Sequence, residues 1–195
     1  IKRYYGESYK GITMHLKIIW KKLKTILFKR GPVRYSYLFE TVATERPKHI
    51  MEIGIFDGNR AVKMLQTAKR HHPASEITYY GFDLFAEAMN PEKFAAELAK
   101  DPLSQAQIQE KLEQTGCNVR LFPGDTHATL PQHTPELPPM DLVFIDGGHS
   151  LETIENDWNH VKQLMHERTT VYFDDYWHTT EAGARPLIDS LDRTE

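Results

Sequence analysis

Asp141-Leu-Val-Phe-Ile-Asp-Gly-Gly-His149-Ser150 is followed, one helix-like segment later, by Thr169-Thr-Val-Tyr-Phe-Asp-Asp-Tyr-Trp-His178. In each stretch a short apolar run (142–145, then 171–173) ends in carboxylates, Asp146 in the first and Asp174 with Asp175 in the second. Such runs are the pattern of parallel strands buried on both faces. In an open α/β sheet the carboxyl ends of neighbouring strands face one crevice, so Asp146, Asp174 and Asp175 are expected to converge although 28 residues separate the first two. Three carboxylates in one place repel one another unless a cation lies between them. The expectation is an oxygen-ligand divalent metal site, Mg²⁺ before other ions.

Upstream, His49-Ile-Met-Glu-Ile-Gly-Ile-Phe-Asp-Gly-Asn-Arg60 reads as an apolar strand running into Gly54 and Gly58, then a helix carrying Ala61, Met64, Leu65 and Ala68. Strand, glycine turn and helix form the first unit of a nucleotide-type, doubly wound α/β fold, with the glycines letting backbone approach a ligand at the sheet's mouth. The spacing is neither Gly-x-Gly-x-x-Gly nor a phosphate loop ending in Gly-Lys-Ser/Thr, which disfavours a pyrophosphate ligand. A second strand, 77–82, ends at Asp83, 25 residues beyond Gly58, where an acid either accepts hydrogen bonds from the hydroxyls of a ribose or serves simply as a helix cap or turn residue. A third, 119–122, ends in Pro123-Gly124-Asp125, and Asp125 is either an acceptor for an adenine amino group or simply the N-cap of the segment that follows.

The remaining segments are read from pattern alone. Residues 35–45 predict a helix stopped by Pro47, and 151–165 a helix joining the two carboxylate-bearing strands. Residues 84–116 are too long for a routine crossover; with helical patterns at 94–100 and 103–115 they are a candidate substrate lid. Four prolines between Pro131 and Pro139 predict an exposed loop, and 181–191 a last helix.

Composition sets the class. The chain has 195 residues, no run of about 18 apolar residues, and a net charge of −3 that is unevenly spread. Residues 1–34 carry net +9 and residues 35–195 net −12, so the first part is a basic arm distinct from an acidic main domain. In the arm, Leu16, Ile19, Trp20, Leu23 and Leu27 recur at helical spacing while Lys17, Lys21 and Lys24 line another face. Such a helix packs on its own domain, on a second copy in a homo-oligomer, or peripherally on an anionic membrane. Nucleic acid is disfavoured by the acidic remainder. One cysteine, Cys117, excludes an internal disulfide and a multi-cysteine zinc site, and fits a reducing compartment such as the cytoplasm.

With glycine turn, ribose acid, adenine acid and strand-end carboxylates in that order, the sequence resembles the class I S-adenosylmethionine-dependent methyltransferases, a Rossmann-like fold. Within them it is most similar to the metal-dependent O-methyltransferases of macrolide sugars, the macrocin and mycinamicin type, over roughly Pro47 to Tyr176. The resemblance rests on Glu52-Ile-Gly54, Tyr80-Gly-Phe-Asp83-Leu-Phe85, Phe144-Ile-Asp146-Gly-Gly-His149-Ser and Phe173-Asp174-Asp175-Tyr176. It implies that Glu52, Gly54 and Gly58 belong to the cofactor turn beside the methionine part, with Asp83 at the ribose and Asp125 at the adenine. It further implies Asp146, Asp174 and Asp175 as metal ligands and His149 as general base. Catechol-type relatives have Asn where Asp175 stands and lysine where His149 stands, so the sugar group is the better match. The class normally ends in two more strands forming an antiparallel edge; no such hairpin follows Leu191, so it lies beyond Glu195 or the sheet is shortened.

The expected chemistry is methyl transfer to a hydroxyl of a sugar or other small natural product. An alcohol needs its pKa lowered and its oxygen aimed, which a divalent cation does, and a base for its proton, for which His149 precedes His178. A non-catalytic, or differently catalytic hydroxylase-like, binding protein on the same fold is the competing reading.

Overall fold

The computed structural model describes residues 2–5, 35–88, 103–176 and 183–191. Their strands are β1 (Lys2–Tyr5), β2 (His49–Ile53), β3 (Thr78–Asp83), β4 (Asn118–Pro123), β5 (Met140–Ile145) and β6 (Met165–Phe173). The helices are α1 (Ser36–Glu45), α2 (Asn59–Ala68), α3 (Phe85–Ala88), α4 (Gln105–Glu113), α5 (Thr126–His133), α6 (Leu151–Val161) and α7 (Arg185–Leu191). One sheet runs β1-β6-β5-β2-β3-β4, with every pair parallel except β1 against β6. The order reverses between β5 and β2, and ligands of open α/β sheets lie outside the strand ends at such a switch point.

Period-two alternation on the central strands feeds two cores. Met51, Ile53, Val143, Ile145, Val171 and Phe173 pack with Ile154, Trp158 and Val161 of α6 and with Leu187 and Ile188 of α7. Ile50, Leu142, Phe144 and Tyr172 face the other way, against Leu38 and Val42 of α1, Met64 and Leu65 of α2, and Ile108 and Leu112 of α4. Burial on both faces explains why these strands read as unbroken apolar runs. At the amino ends of the strands Asp141 fastens β5 to β2, its Oδ2 accepting from the backbone N–H of Lys48 and His49 at 2.8 and 2.9 Å. Burial works against ionising this carboxyl, but those N–H groups and His166 outweigh it and hold it below the usual range.

Several expectations need correction. The proline-rich stretch is not an exposed loop: α5 runs through Pro131, a 3₁₀ turn covers Thr134–Glu136, and Thr134 and Leu137 are buried. Proline removes one backbone donor, a tolerable loss in so short a helix. Met165 opens β6 instead of ending α6. The part of the expected lid from Ser104 onward is scaffold, because a capping box (Ser104 with Gln107) starts α4 and its Ile108 and Leu112 are fully buried. The helix expected over 94–100, the amphipathic basic helix and His178 lie outside the described residues. An antiparallel strand does border β6, but β1 supplies it from the amino-terminal side, with Lys2 paired to Phe173 and Tyr5 to Thr170. None of the described helices is long and apolar enough to cross a membrane.

Candidate active site

The sheet ladder continues one step past the strand ends and so fixes the turns of the crevice. Gly54 N–H donates to the Phe82 carbonyl at 2.9 Å, Asp146 N–H to Ile53 at 2.8 Å, and Asp174 N–H to Ile145 at 2.9 Å. Gly54 has φ +85°, and a Cβ there would stand 1.9 Å from the Asp146 carbonyl oxygen, so the first turn folds directly onto the end of β5. Gly58, at φ +70°, is the N-cap of α2.

Asp83 organises this first turn. Its Oδ2 accepts from the N–H of Ile55 at 2.5 Å and of Phe56 at 3.1 Å, and its Oδ1 from Phe85 at 2.9 Å. The turn reading of Asp83 therefore holds whether or not it also meets a ribose. Beside it, Phe56 and Leu84 are 37 % and 38 % exposed, two of the three large exposed apolar side chains among the described residues. Asp125 caps α5, accepting from His127 N–H at 2.9 Å, and this bond with the neighbouring His127 ring keeps its carboxyl below the usual range. The cap half of the Asp125 alternative is thus observed.

Asp146, Asp174 and Asp175 line one small cavity with Gly147, Gly148, Ile154 and Ala184. Asp175 sits at φ +54°, a left-handed conformation costly for a non-glycine residue and concentrated at functional sites. Its Oδ2 lies 3.1 Å from His149 Nε2, whose side chain is 56 % exposed. The Tyr35 hydroxyl donates to Asp174 Oδ2 at 3.1 Å. Burial, with the like charge of Asp174 beside it, outweighs Arg60 and leaves the Asp146 carboxyl raised to about 7.

Two groups escaped the sequence reading. Arg60, in the first turn of α2, donates through Nε to Glu52, through Nη1 to Asp146 and through Nη2 to the Gly54 carbonyl, the last at 2.5 Å. Its guanidinium carbon lies 4.4 Å from the Phe144 ring centre and 5.0 Å from that of Tyr35. Burial opposes its charge, and Glu52 and Asp146 more than restore it. A cation in a helix's first turn opposes the macrodipole, and that was the available sign that Arg60 answers to carboxylates elsewhere. The second is Asp157 on α6, 0 % exposed, whose Oδ2 has no hydrogen-bond partner among the described residues. Burial raises its carboxyl to about 6, more than the Thr126 and Asn156 side chains lower it.

Glu52 does not face the crevice: it is wholly buried, bonded to Arg60 and to the Tyr79 hydroxyl, and its carboxyl is raised by that burial. Nor do the three aspartates form a finished cage, for among the described residues no group of three or more His, Cys, Asp or Glu is arranged to hold a metal. Asp146, Asp174 and Asp175 instead turn oxygens to Arg60, Tyr35 and His149. The donor chemistry still fits a hard divalent cation, since three carboxylates share one cavity.

Switch-point crevice, glycine turn and strand-end acids define a Rossmann-like methyltransferase fold. Residues 51–176 match the family model described as "Methyltransferase domain", and the chain belongs to that family. Among solved structures it is similar to an O-methyltransferase from Bacillus cereus in complex with SAH (TM-score 0.50, 16% identity, 70% of this chain and 53% of that one). CalS11, a calicheamicin methyltransferase, aligns with TM-score 0.54 and 20% identity over 71% of this chain and 61% of its own. The O-methyltransferase NovP aligns with TM-score 0.54 and 19% identity over 79% and 66%. At these identities the likeness is one of fold, and the chain spans about half to two-thirds of their lengths. No curated protein matches by sequence.

Proposed function

We propose that the chain is the catalytic domain of an S-adenosylmethionine- and divalent-metal-dependent O-methyltransferase acting on a hydroxyl of a sugar or small natural product. The observation that carries this reading is the meeting of Asp146, Asp174 and Asp175 on one cavity, beside His149 and the Gly54 turn. Family membership supports methyl transfer, and the neighbours described as O-methyltransferases, one holding SAH, support the oxygen acceptor and the cofactor.

S-adenosylmethionine supplies the methyl group, displaced in line from its sulfonium. A cation on Asp146, Asp174 and Asp175 would lower the acceptor's pKa and aim its oxygen. The chain's own residues do the rest. Gly54 and Gly58 give the first turn its left-handed backbone, through which it meets the methionine portion, Asp83 receives the ribose, and Asp125 receives the adenine. The apolar faces of Phe56 and Leu84 exclude water beside Asp83. His149 takes the acceptor's proton, and Asp175, 3.1 Å away, orients its ring and stabilises the imidazolium. Glu52 acts at one remove, through Arg60. The amphipathic basic arm suits an anionic surface or a second copy of the chain, and the buried lone Cys117 fits the cytoplasm.

Transfer of labelled methyl from S-adenosylmethionine to a panel of glycosides, phenols and alcohols, with Mg²⁺ and with excess EDTA, tests the proposal. Cation-dependent labelling of a hydroxyl is expected. Full activity in EDTA would remove the metal from the reading, and labelling of nitrogen or carbon alone would remove the O-methyl assignment.

A further inference from the structure

Arg60 is the place where the cofactor turn and the strand-end carboxylates meet through one side chain. Its guanidinium is a planar fork, and each of its three nitrogens is committed to a different group: Glu52 on β2, Asp146 after β5, and the Gly54 carbonyl. The side chain is 11 % exposed and lies against the Phe144 and Tyr35 rings, which themselves meet edge to face, so it has little room to swing away. Asp146 also shares its cavity with Asp174 and Asp175. A divalent cation drawn to these carboxylates meets a positive charge already seated on Asp146, and like charges in a poorly solvated site oppose each other strongly.

We propose that Arg60 is a built-in counter-cation with two opposed effects: it weakens divalent-cation binding at Asp146 while strengthening cofactor binding by bracing the Gly54 turn. The inference rests on the methyltransferase reading above and deepens it. Arg60 is a positioning residue, since its contacts are with Glu52, Asp146 and the turn backbone. The benefit of the arrangement is that the carboxylate keeps its place before the cation arrives, with the cation held loosely enough to exchange. A merely structural arginine predicts something different, namely that its loss weakens both ligands together.

The test is calorimetry on the full chain with two titrants, MnCl₂ and S-adenosylhomocysteine, for the native protein, Arg60→Met and Arg60→Lys, with circular dichroism confirming folding. Arg60→Met is expected to bind Mn²⁺ about fivefold or more tightly and S-adenosylhomocysteine about fivefold or more weakly. Arg60→Lys keeps the charge and loses the fork, so its Mn²⁺ affinity stays within about twofold of native while S-adenosylhomocysteine still weakens. Should Arg60→Met fail to fold with Glu52 left unpaired, the Lys variant decides alone, and unchanged S-adenosylhomocysteine affinity there overturns the proposal. Weakening of both ligands in Arg60→Met, or no change in either, also overturns it and leaves the methyltransferase reading standing. A native protein that binds neither titrant removes that reading and this inference together.

Discussion

A methyl group added at Gly54 would stand 1.9 Å from the carbonyl oxygen of Asp146 and 2.9 Å from the Gly147 nitrogen. The first turn and the carboxylate-bearing turn are therefore one packed unit. Gly54 also sits at φ +85°, so Gly54→Ala combines backbone strain with a clash that no side chain can relieve. It is expected to cost about 3 kcal/mol or more, seen as a large fall in the urea midpoint. Gly58→Ala is milder, since its Cβ would meet side chains and no backbone, Ile108 at 3.2 Å, Lys111 at 3.6 Å and Leu112 at 3.9 Å, and about 1 kcal/mol is expected. Equal effects would contradict the packing account.

Asp146→Asn keeps the shape of the side chain and an acceptor for Arg60 but removes the charge a cation needs. Methyl transfer is expected to fall by about 100-fold or more. S-adenosylhomocysteine affinity should change by less than about threefold, because the turn and Asp83 remain. Comparable loss of both would make Asp146 a cofactor residue instead.

Helix α4 belongs to the core, since Ile108 and Leu112 are fully buried against the first turn and α2. Ile108→Ala is expected to destabilise the fold by about 2 to 4 kcal/mol in urea titration. A change below about 0.5 kcal/mol would return this helix to the role of a lid.

Asp157 gives a pH signature. Its carboxyl is raised by burial to about 6 in the folded chain, above the ordinary 3.8, so the native state binds the proton more tightly than the unfolded one. Its contribution to stability is therefore full below about pH 4 and lost as pH rises through about 6, an effect of at most about 3 kcal/mol. Asp157→Asn should flatten the fall in melting temperature between about pH 4 and pH 6.5. A slope identical to native would contradict a buried, proton-binding Asp157.

The central strands and their terminal acids were legible because the information is local. Apolar runs such as 142–145 stop at a carboxylate, and the glycine turn after Ile53 is written within a few residues. The pairing of Lys2–Tyr5 with β6 was not legible, because nothing in four residues announces a partner more than 160 positions away. Pro131 misled for a related reason: punctuation marks a turn in general, whereas here the Asp125 cap and buried Leu130 hold a short helix around it. The carboxylates Asp146, Asp174 and Asp175 do line one cavity, but two of their partners were not legible, since Arg60 and Tyr35 come from two other segments. The partners of Glu52 were not legible either: strand alternation points it to Arg60 and Tyr79, which lie 8 and 27 residues away.

The claim on which all else depends is that the crevice between Asp83 and Asp146 receives an adenosyl cofactor. Calorimetric titration of the full chain with S-adenosylhomocysteine in Mg²⁺ measures this directly, with Asp83→Asn as the comparison. The account predicts one-site binding in the micromolar range, weakened about tenfold or more by Asp83→Asn as a ribose contact is lost. Absence of binding heat, or native-like affinity in a folded Asp83→Asn protein, would contradict it.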